Sequence, residues 1–161
     1  MKRAIVFFSR DGSTRIAAEI LGEKLEGTLI ELIPRKKRGF IRSAYGAIKK
    51  KNIPLEGAPE QEIVSYDQIL LGTPVWASNG TPAINTFLER ADFSGKEVSI
   101  FTVQADPERE GSREIHDYLA AKIREKGGKE PIKRYAFHGA RPGKTSPRSH
   151  LEEQINRMIF T

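Results

Sequence analysis

Hydrophobic and polar positions along the chain fall into alternating blocks. Ala4-Ile5-Val6-Phe7-Phe8 is an unbroken apolar run, the pattern of a strand buried on both faces. From Thr14 to Leu25 the apolar residues repeat at i, i+4 (Ile16/Ile20 and Ala17/Leu21/Leu25), which predicts an amphipathic helix stopped at Gly27. Thr28 to Ile33 predicts a second strand, ended by Pro34. Phe40, Ile41, Ala44, Tyr45 and Ile48 stand at helical spacing and predict a helix from about 39 to 50, followed by a loop at Pro54, Gly57 and Pro59. Gln68 to Gly72 predicts a third strand. A long loop, Thr73 to Gly80, leads to a helix opened by Thr81-Pro82, with Thr81 as N-cap, and faced by Ile84, Phe87, Leu88 and Ala91.

The alternation continues to the end of the chain. Glu97 to Val103 predicts a fourth strand and Gln104 to Gly111 a polar loop. Ser112 is placed to cap a helix lined by Ile115, Leu119 and Ile123 and ended by Gly127-Gly128. Ile132 to Phe137 predicts the fifth strand and Gly139 to Pro147 a loop. Ser149 to Glu152 reads as a capping box for a last helix buried through Leu151, Ile155, Met158 and Ile159. Strands alternating with helices require a parallel sheet covered on both faces. The expected fold is α/β: a three-layer, doubly wound, five-stranded parallel sheet in the order 2-1-3-4-5, carried by a single domain spanning residues 1–161.

In such a sheet, ligands sit at the carboxyl ends of the strands, where the strand order reverses. Three loops follow strands one, three and four in that region: Ser9–Thr14, Thr73–Gly80 and Gln104–Gly111. The first has hydroxyls and Gly12 at the start of a helix, whose unpaired amides and positive dipole end suit an anion, most often a phosphate. The second carries Trp76, the chain's only tryptophan, among Pro74, Ser78, Asn79 and Gly80. An indole in a polar loop can stack on a flat aromatic ligand.

Composition narrows the chemistry. The 161 residues contain no cysteine, which excludes disulfides, thiol catalysis and cysteine-ligated zinc or iron–sulfur clusters. Met1-Lys2-Arg3 precedes only five apolar residues, too few for a signal-peptide core, and no run reaches membrane-span length, so the expectation is a cytoplasmic protein. The net charge of +6 is concentrated. Arg35 to Lys51 holds eight basic residues and no acid, and the rest of the chain has 19 basic against 21 acidic residues. The three histidines, His116, His138 and His150, share no metal-ligand spacing; His116 is expected to be solvated on its helix, and no metal site is expected. Gly143-Lys144-Thr145 echoes the end of a P-loop, but His138 stands where the first glycine would be needed, so this stretch reads as a flexible loop. No nucleophile–base pair suggests hydrolysis, and no catalytic residue is singled out.

The residues quoted resemble the flavodoxin family. Ser9-Arg10-Asp11-Gly12-Ser13-Thr14 is similar to that family's phosphate loop, and Leu71-Gly72-Thr73-Pro74-Val75-Trp76 with Thr81-Pro82 and Phe87-Leu88 is similar to its second loop and following helix. Gly95-Lys96 and Phe101-Thr102 match the strand before its third loop, and Gly39, Tyr45 and Gly46 match one branch of short flavodoxin-like proteins. The resemblance implies non-covalent FMN and one-electron transfer. It places Ser9, Arg10, Asp11, Gly12, Ser13 and Thr14 in the phosphate loop. Pro74, Val75, Trp76, Ala77 and Ser78 would flank the isoalloxazine with Trp76 stacked on it, and the backbone of Gln104, Ala105 and Asp106 would meet the pyrimidine edge. Three departures stand out. Asp11 replaces the usual hydroxyl, the third loop lacks the aromatic that many flavodoxins stack on the ring, and this chain is basic where flavodoxins are usually acidic.

Two rival functions share these residues. One is an FMN-dependent NAD(P)H or quinone oxidoreductase on the same fold, protoporphyrinogen dehydrogenases included; Gly139 to Pro147 is shorter than the basic insertion those enzymes carry after the last strand. The other is nucleic-acid binding through Arg35–Lys51, disfavoured because the segment has few aromatics beyond Phe40 and Tyr45. The preferred partner is an acidic redox protein docking near residues 35–51.

Overall fold

The computed structural model describes residues 1–35, 52–75, 80–106 and 111–159. The expected helix at 39–50, most of the basic segment, and Trp76, Ala77 and Ser78 lie outside the described residues. Five strands form one sheet: β1 (Arg3–Phe7), β2 (Thr28–Glu31), β3 (Gln68–Pro74), β4 (Glu97–Gln104) and β5 (Lys129–His138). Their order is β2-β1-β3-β4-β5 and every pair is parallel. The expected order is therefore the observed one. Register runs straight across the middle of the sheet, with Val6 opposite both Ile30 and Leu71, and Leu71 opposite Ile100.

Side chains alternate along each strand, so the sheet divides the core into two halves. Ile5, Phe7, Leu70, Phe101, Val103 and Phe137 face α1 (Ser13–Leu25) and α5 (Arg148–Ile159), where Ala17, Ile20, Leu21, Leu151 and Ile155 meet them. Ala4, Val6, Ile69, Leu71, Val98 and Ile100 face α3 (Pro82–Arg90) and α4 (Gly111–Glu125), packed through Ile84, Phe87, Ile115, Leu119 and Ile123. This is the three-layer arrangement. Gly72 sits under the Phe101 ring: a Cβ there would lie 2.0 Å from Cζ, so only glycine admits the ring.

Local differences from expectation have physical causes. Ala58 to Ser65, expected as loop and lead-in, holds a one-turn helix, α2 (Pro59–Glu62), and a 3-10 turn (Ile63–Ser65) that bury Pro59 and Ile63. Thr81 occupies the N-cap of α3, but its hydroxyl makes no capping bond and lies 3.5 Å from the Thr73 hydroxyl instead. Ser112 and Ser149 are inside the first turns of α4 and α5 rather than before them, so neither is the N-cap. The expected capping-box partner Glu152 pairs with Lys24 at 3.1 Å. No helix among the described residues is long and apolar enough to cross a membrane.

Candidate FMN site

The phosphate-loop residues lie where β1 ends and α1 begins, between β2 and β3, at the reversal of strand order. Gly12 has φ +94°, a left-handed conformation that starts the helix from an abrupt turn. Ile16 N–H donates the first intrahelical bond, to Gly12 O at 3.0 Å, so the amides of Ser13, Thr14 and Arg15 have no partner within the helix. Ser9 Oγ accepts from Gly12 N–H and from Arg15 N–H, both at 3.2 Å. A hydroxyl oxygen thus sits among main-chain donors, in the setting that suits an anionic oxygen. Thr14 is buried at the base of this turn.

The charges around the loop are paired. Arg15 pairs with Glu31 at 2.5 Å, and that hydrogen bond raises its pKa. Asp11 Oδ2 accepts from Gly143 N–H at 3.0 Å, and Arg10 Nε lies 3.8 Å from Asp11 Oδ1. The carboxylate that departs from the family pattern is therefore turned toward the loop between β5 and α5. That loop is not the free connection expected from its composition: Thr145 Oγ–H donates to Asp11 O at 2.5 Å, and Ser146 N–H donates to Ser13 Oγ at 2.9 Å.

The described ends of the second and third loops lie at the carboxyl ends of β3 and β4. Phe8 N–H donates to Gly72 O at 3.0 Å, tying the first loop's entry to β3. Pro74 ends β3 and, like Val75, is half-buried; a Cβ on Gly111, at the start of α4, would lie 3.6 Å from Val75 Cγ1. Gln104 ends β4 and is buried. Its carbonyl is taken by Gly139 N–H at 2.7 Å, and its Nε2–H turns back to Asp106 O at 3.4 Å. Gln104 Oε1 is buried without a partner among the described residues. An orphaned acceptor of this kind at a strand's carboxyl end fits a site completed by a donor from a ligand. Ala105 is half-buried and Asp106 exposed.

The structure thus brings together Ser9, Arg10, Asp11, Gly12, Ser13 and Thr14 on one turn, with Pro74, Val75, Gln104, Ala105 and Asp106 at the ends of the neighbouring strands. Ser146, Thr145 and Gly143 join them without having been foreseen. Among the described residues there is no cluster of His, Cys, Asp and Glu able to hold a metal ion.

A family model described as flavodoxin matches residues 2–129. The chain belongs to the flavodoxin family. FMN is the cofactor that this membership supports, and the glycine turn, the Ser13 and Thr14 amides left without a helical partner and the orphaned Gln104 oxygen all fit it. Solved flavodoxin-like structures share the fold. Oxidised flavodoxin 2 of Bacillus cereus is 20% identical, with 95% of this chain and 94% of that chain covered at a TM-score of 0.64. A Lactobacillus acidophilus flavoprotein, solved in complex with FMN, is 19% identical over 85% of this chain and 92% of its own, with a TM-score of 0.56. A Bacteroides uniformis protein is 24% identical over 96% and 97%, with a TM-score of 0.69. No curated protein matches the chain by sequence.

Proposed function

We propose that this flavodoxin is a cytoplasmic electron carrier whose single domain binds FMN non-covalently and exchanges electrons with acidic redox proteins. Bound FMN supplies one-electron redox chemistry. The chain's own residues hold and orient it: the Ser9–Thr14 turn binds the phosphate, Pro74 to Ser78 flank the ring with Trp76 stacked on it, and Gln104 to Asp106 meet its pyrimidine edge. The observation that carries this reading is the Gly12 turn at the N-terminus of α1, placed at the sheet's switch point, where the Ser13 and Thr14 amides have no partner within the helix.

The basic segment supports the choice of partner. It leaves the sheet after β2, at the same end as the phosphate loop, where the Arg15–Glu31 pair joins α1 to β2. Eight basic residues in one stretch make a concentrated positive field, which speeds encounter with a negative surface.

The test is the colour of the purified protein and its response to FMN. A yellow protein, or one whose Trp76 fluorescence is quenched by added FMN, supports the reading; a colourless protein indifferent to FMN overturns it. Steady-state turnover with NAD(P)H then separates carrier from oxidoreductase, since a carrier shows almost none.

A further inference from the structure

The loop between β5 and α5 reaches across the sheet and fastens onto the phosphate loop at two points. At the first, Ala140 N–H donates to Ser146 Oγ at 2.7 Å, Ser146 Oγ–H donates to Ser13 Oγ at 3.0 Å, and Ser146 N–H donates to the same Ser13 oxygen at 2.9 Å. Ser146 is only 3% exposed. A hydroxyl has one hydrogen and two acceptor sites. With both acceptor sites of Ser13 filled by Ser146, the Ser13 hydrogen is left to donate elsewhere. Ser13 is the first residue of α1, directly after the Gly12 turn.

The second fastening governs Asp11. Arg141-Pro142-Gly143-Lys144 is a tight turn closed by Lys144 N–H to Arg141 O at 3.0 Å, with Gly143 at φ +80°. Proline then glycine at its centre is the type II pattern. The turn presents Gly143 N–H to the Asp11 carboxylate, while Thr145 holds the Asp11 carbonyl. A Cβ on Gly12 would lie 3.2 Å from the Thr145 side chain, so the two loops are in contact and not merely linked.

We propose that the β5–α5 loop is a positioning element of the phosphate site, in which Ser146 leaves the Ser13 hydroxyl donating to the FMN phosphate and Gly143 with Thr145 keeps the Asp11 carboxylate off it. This rests on the FMN reading above. It accounts for an acidic residue in a loop built for a dianion, because a carboxylate that is turned outward and hydrogen-bonded there repels the phosphate less. It also gives a role to Gly143-Lys144-Thr145, whose P-loop echo led nowhere. Donors that polarise one another along the Ala140–Ser146–Ser13 chain strengthen the last bond, the one made to the phosphate.

The test compares FMN with riboflavin, which lacks the phosphate, on the full chain stripped of flavin, reading dissociation constants from flavin fluorescence and the melting temperature of the apoprotein. Ser146→Ala is expected to weaken FMN about tenfold while changing riboflavin less than about twofold. Thr145→Val, a shape-conserving change at an exposed position, is expected to show the same selectivity at about threefold and decides the matter if Ser146→Ala fails to fold. Equal weakening of both ligands, or no change in either, overturns the positioning role. A wild-type chain that binds FMN no better than riboflavin overturns the phosphate reading itself, a result distinguishable from the first.

Discussion

Thr102 and His116 are hydrogen-bonded across the β4–α4 interface, Oγ1 to Nε2 at 3.0 Å. The imidazole is buried, contrary to the solvated position expected for it. Burial, and then the positive charge of Arg134, lowers its pKa to about 4 from the usual 6.5. The group is therefore neutral when folded and protonates more readily when unfolded. Its stabilising contribution is fully present above about pH 6.5 and is lost as pH falls toward about 4, by at most ~3 kcal/mol. Urea unfolding of the apoprotein at several values between pH 7.5 and 4.5 should show this decline. In His116→Gln the part of the slope due to this residue disappears; an unchanged slope would assign it to the carboxylates.

Gly72→Ala should be severely destabilising. Its Cβ would land 2.0 Å from Phe101 Cζ and within 2.6 Å of both ring Cε atoms, beneath a fully buried ring. The expected cost is about 3 kcal/mol or more, at the upper end of overpacking effects. Thermal denaturation measures it, and Phe101→Leu in the same chain should recover part of the loss. If Gly72→Ala melts with the wild type, the sheet is looser at this point than the packing states.

Thr14→Ala separates structure from phosphate binding. A hydroxyl bonded to a dianionic phosphate is worth roughly 1.5–3 kcal/mol, so FMN affinity should fall by that amount while riboflavin affinity barely moves. Because Thr14 is buried, the melting temperature of the apoprotein is the control. Equal losses for the two flavins would assign Thr14 to the fold.

Gln104 gives effects of opposite sign. Its buried, unpartnered Oε1 penalises the apoprotein. Gln104→Met, similar in length and without that acceptor, should raise apoprotein stability by about 1 kcal/mol and weaken FMN by a similar amount. Calorimetric melting and flavin titration report the two effects separately. Stabilisation without weaker binding would mean that FMN leaves the oxygen unsatisfied.

Charge reversal tests the docking proposal. Changing Lys36, Lys37, Arg38 and Lys50 to Glu should slow electron transfer to an acidic partner and flatten the salt dependence of the rate, with FMN affinity unchanged. Stopped-flow rates at several ionic strengths measure both. A variant that keeps the original rate and salt response would reduce the segment to a solvated surface.

The sheet was legible in the sequence because β1, β3 and β4, buried on both faces, leave apolar runs, and parallel alternation leaves few possible orders. The turn at Gly12 was legible because a glycine between a strand and a helix is a local signal. His116 was not read correctly. The stripe Ile115, Leu119, Ile123 drew attention from the adjoining repeat Ser112, His116, Ala120, which is also buried and widens the apolar face of α4. The docking of Gly143 and Thr145 on Asp11 was out of reach for a different reason. The contacts join segments more than a hundred residues apart, and a loop's composition says where the chain turns, not what it comes to rest on.

Beyond β2 the chain makes a closed stem. Pro34 bridges Leu55 in antiparallel fashion, with Arg35 N–H bonded to Pro54 O and Glu56 N–H to Ile33 O, both at 2.8 Å. The chain on either side of residues 36–51 is thus held together by one short ladder, so the closure is made by these flanks. The cationic stretch is a cassette. Its length and charge can change while the flanking ladder stays closed beside the sheet, without disturbing the strands that position the Gly12 turn.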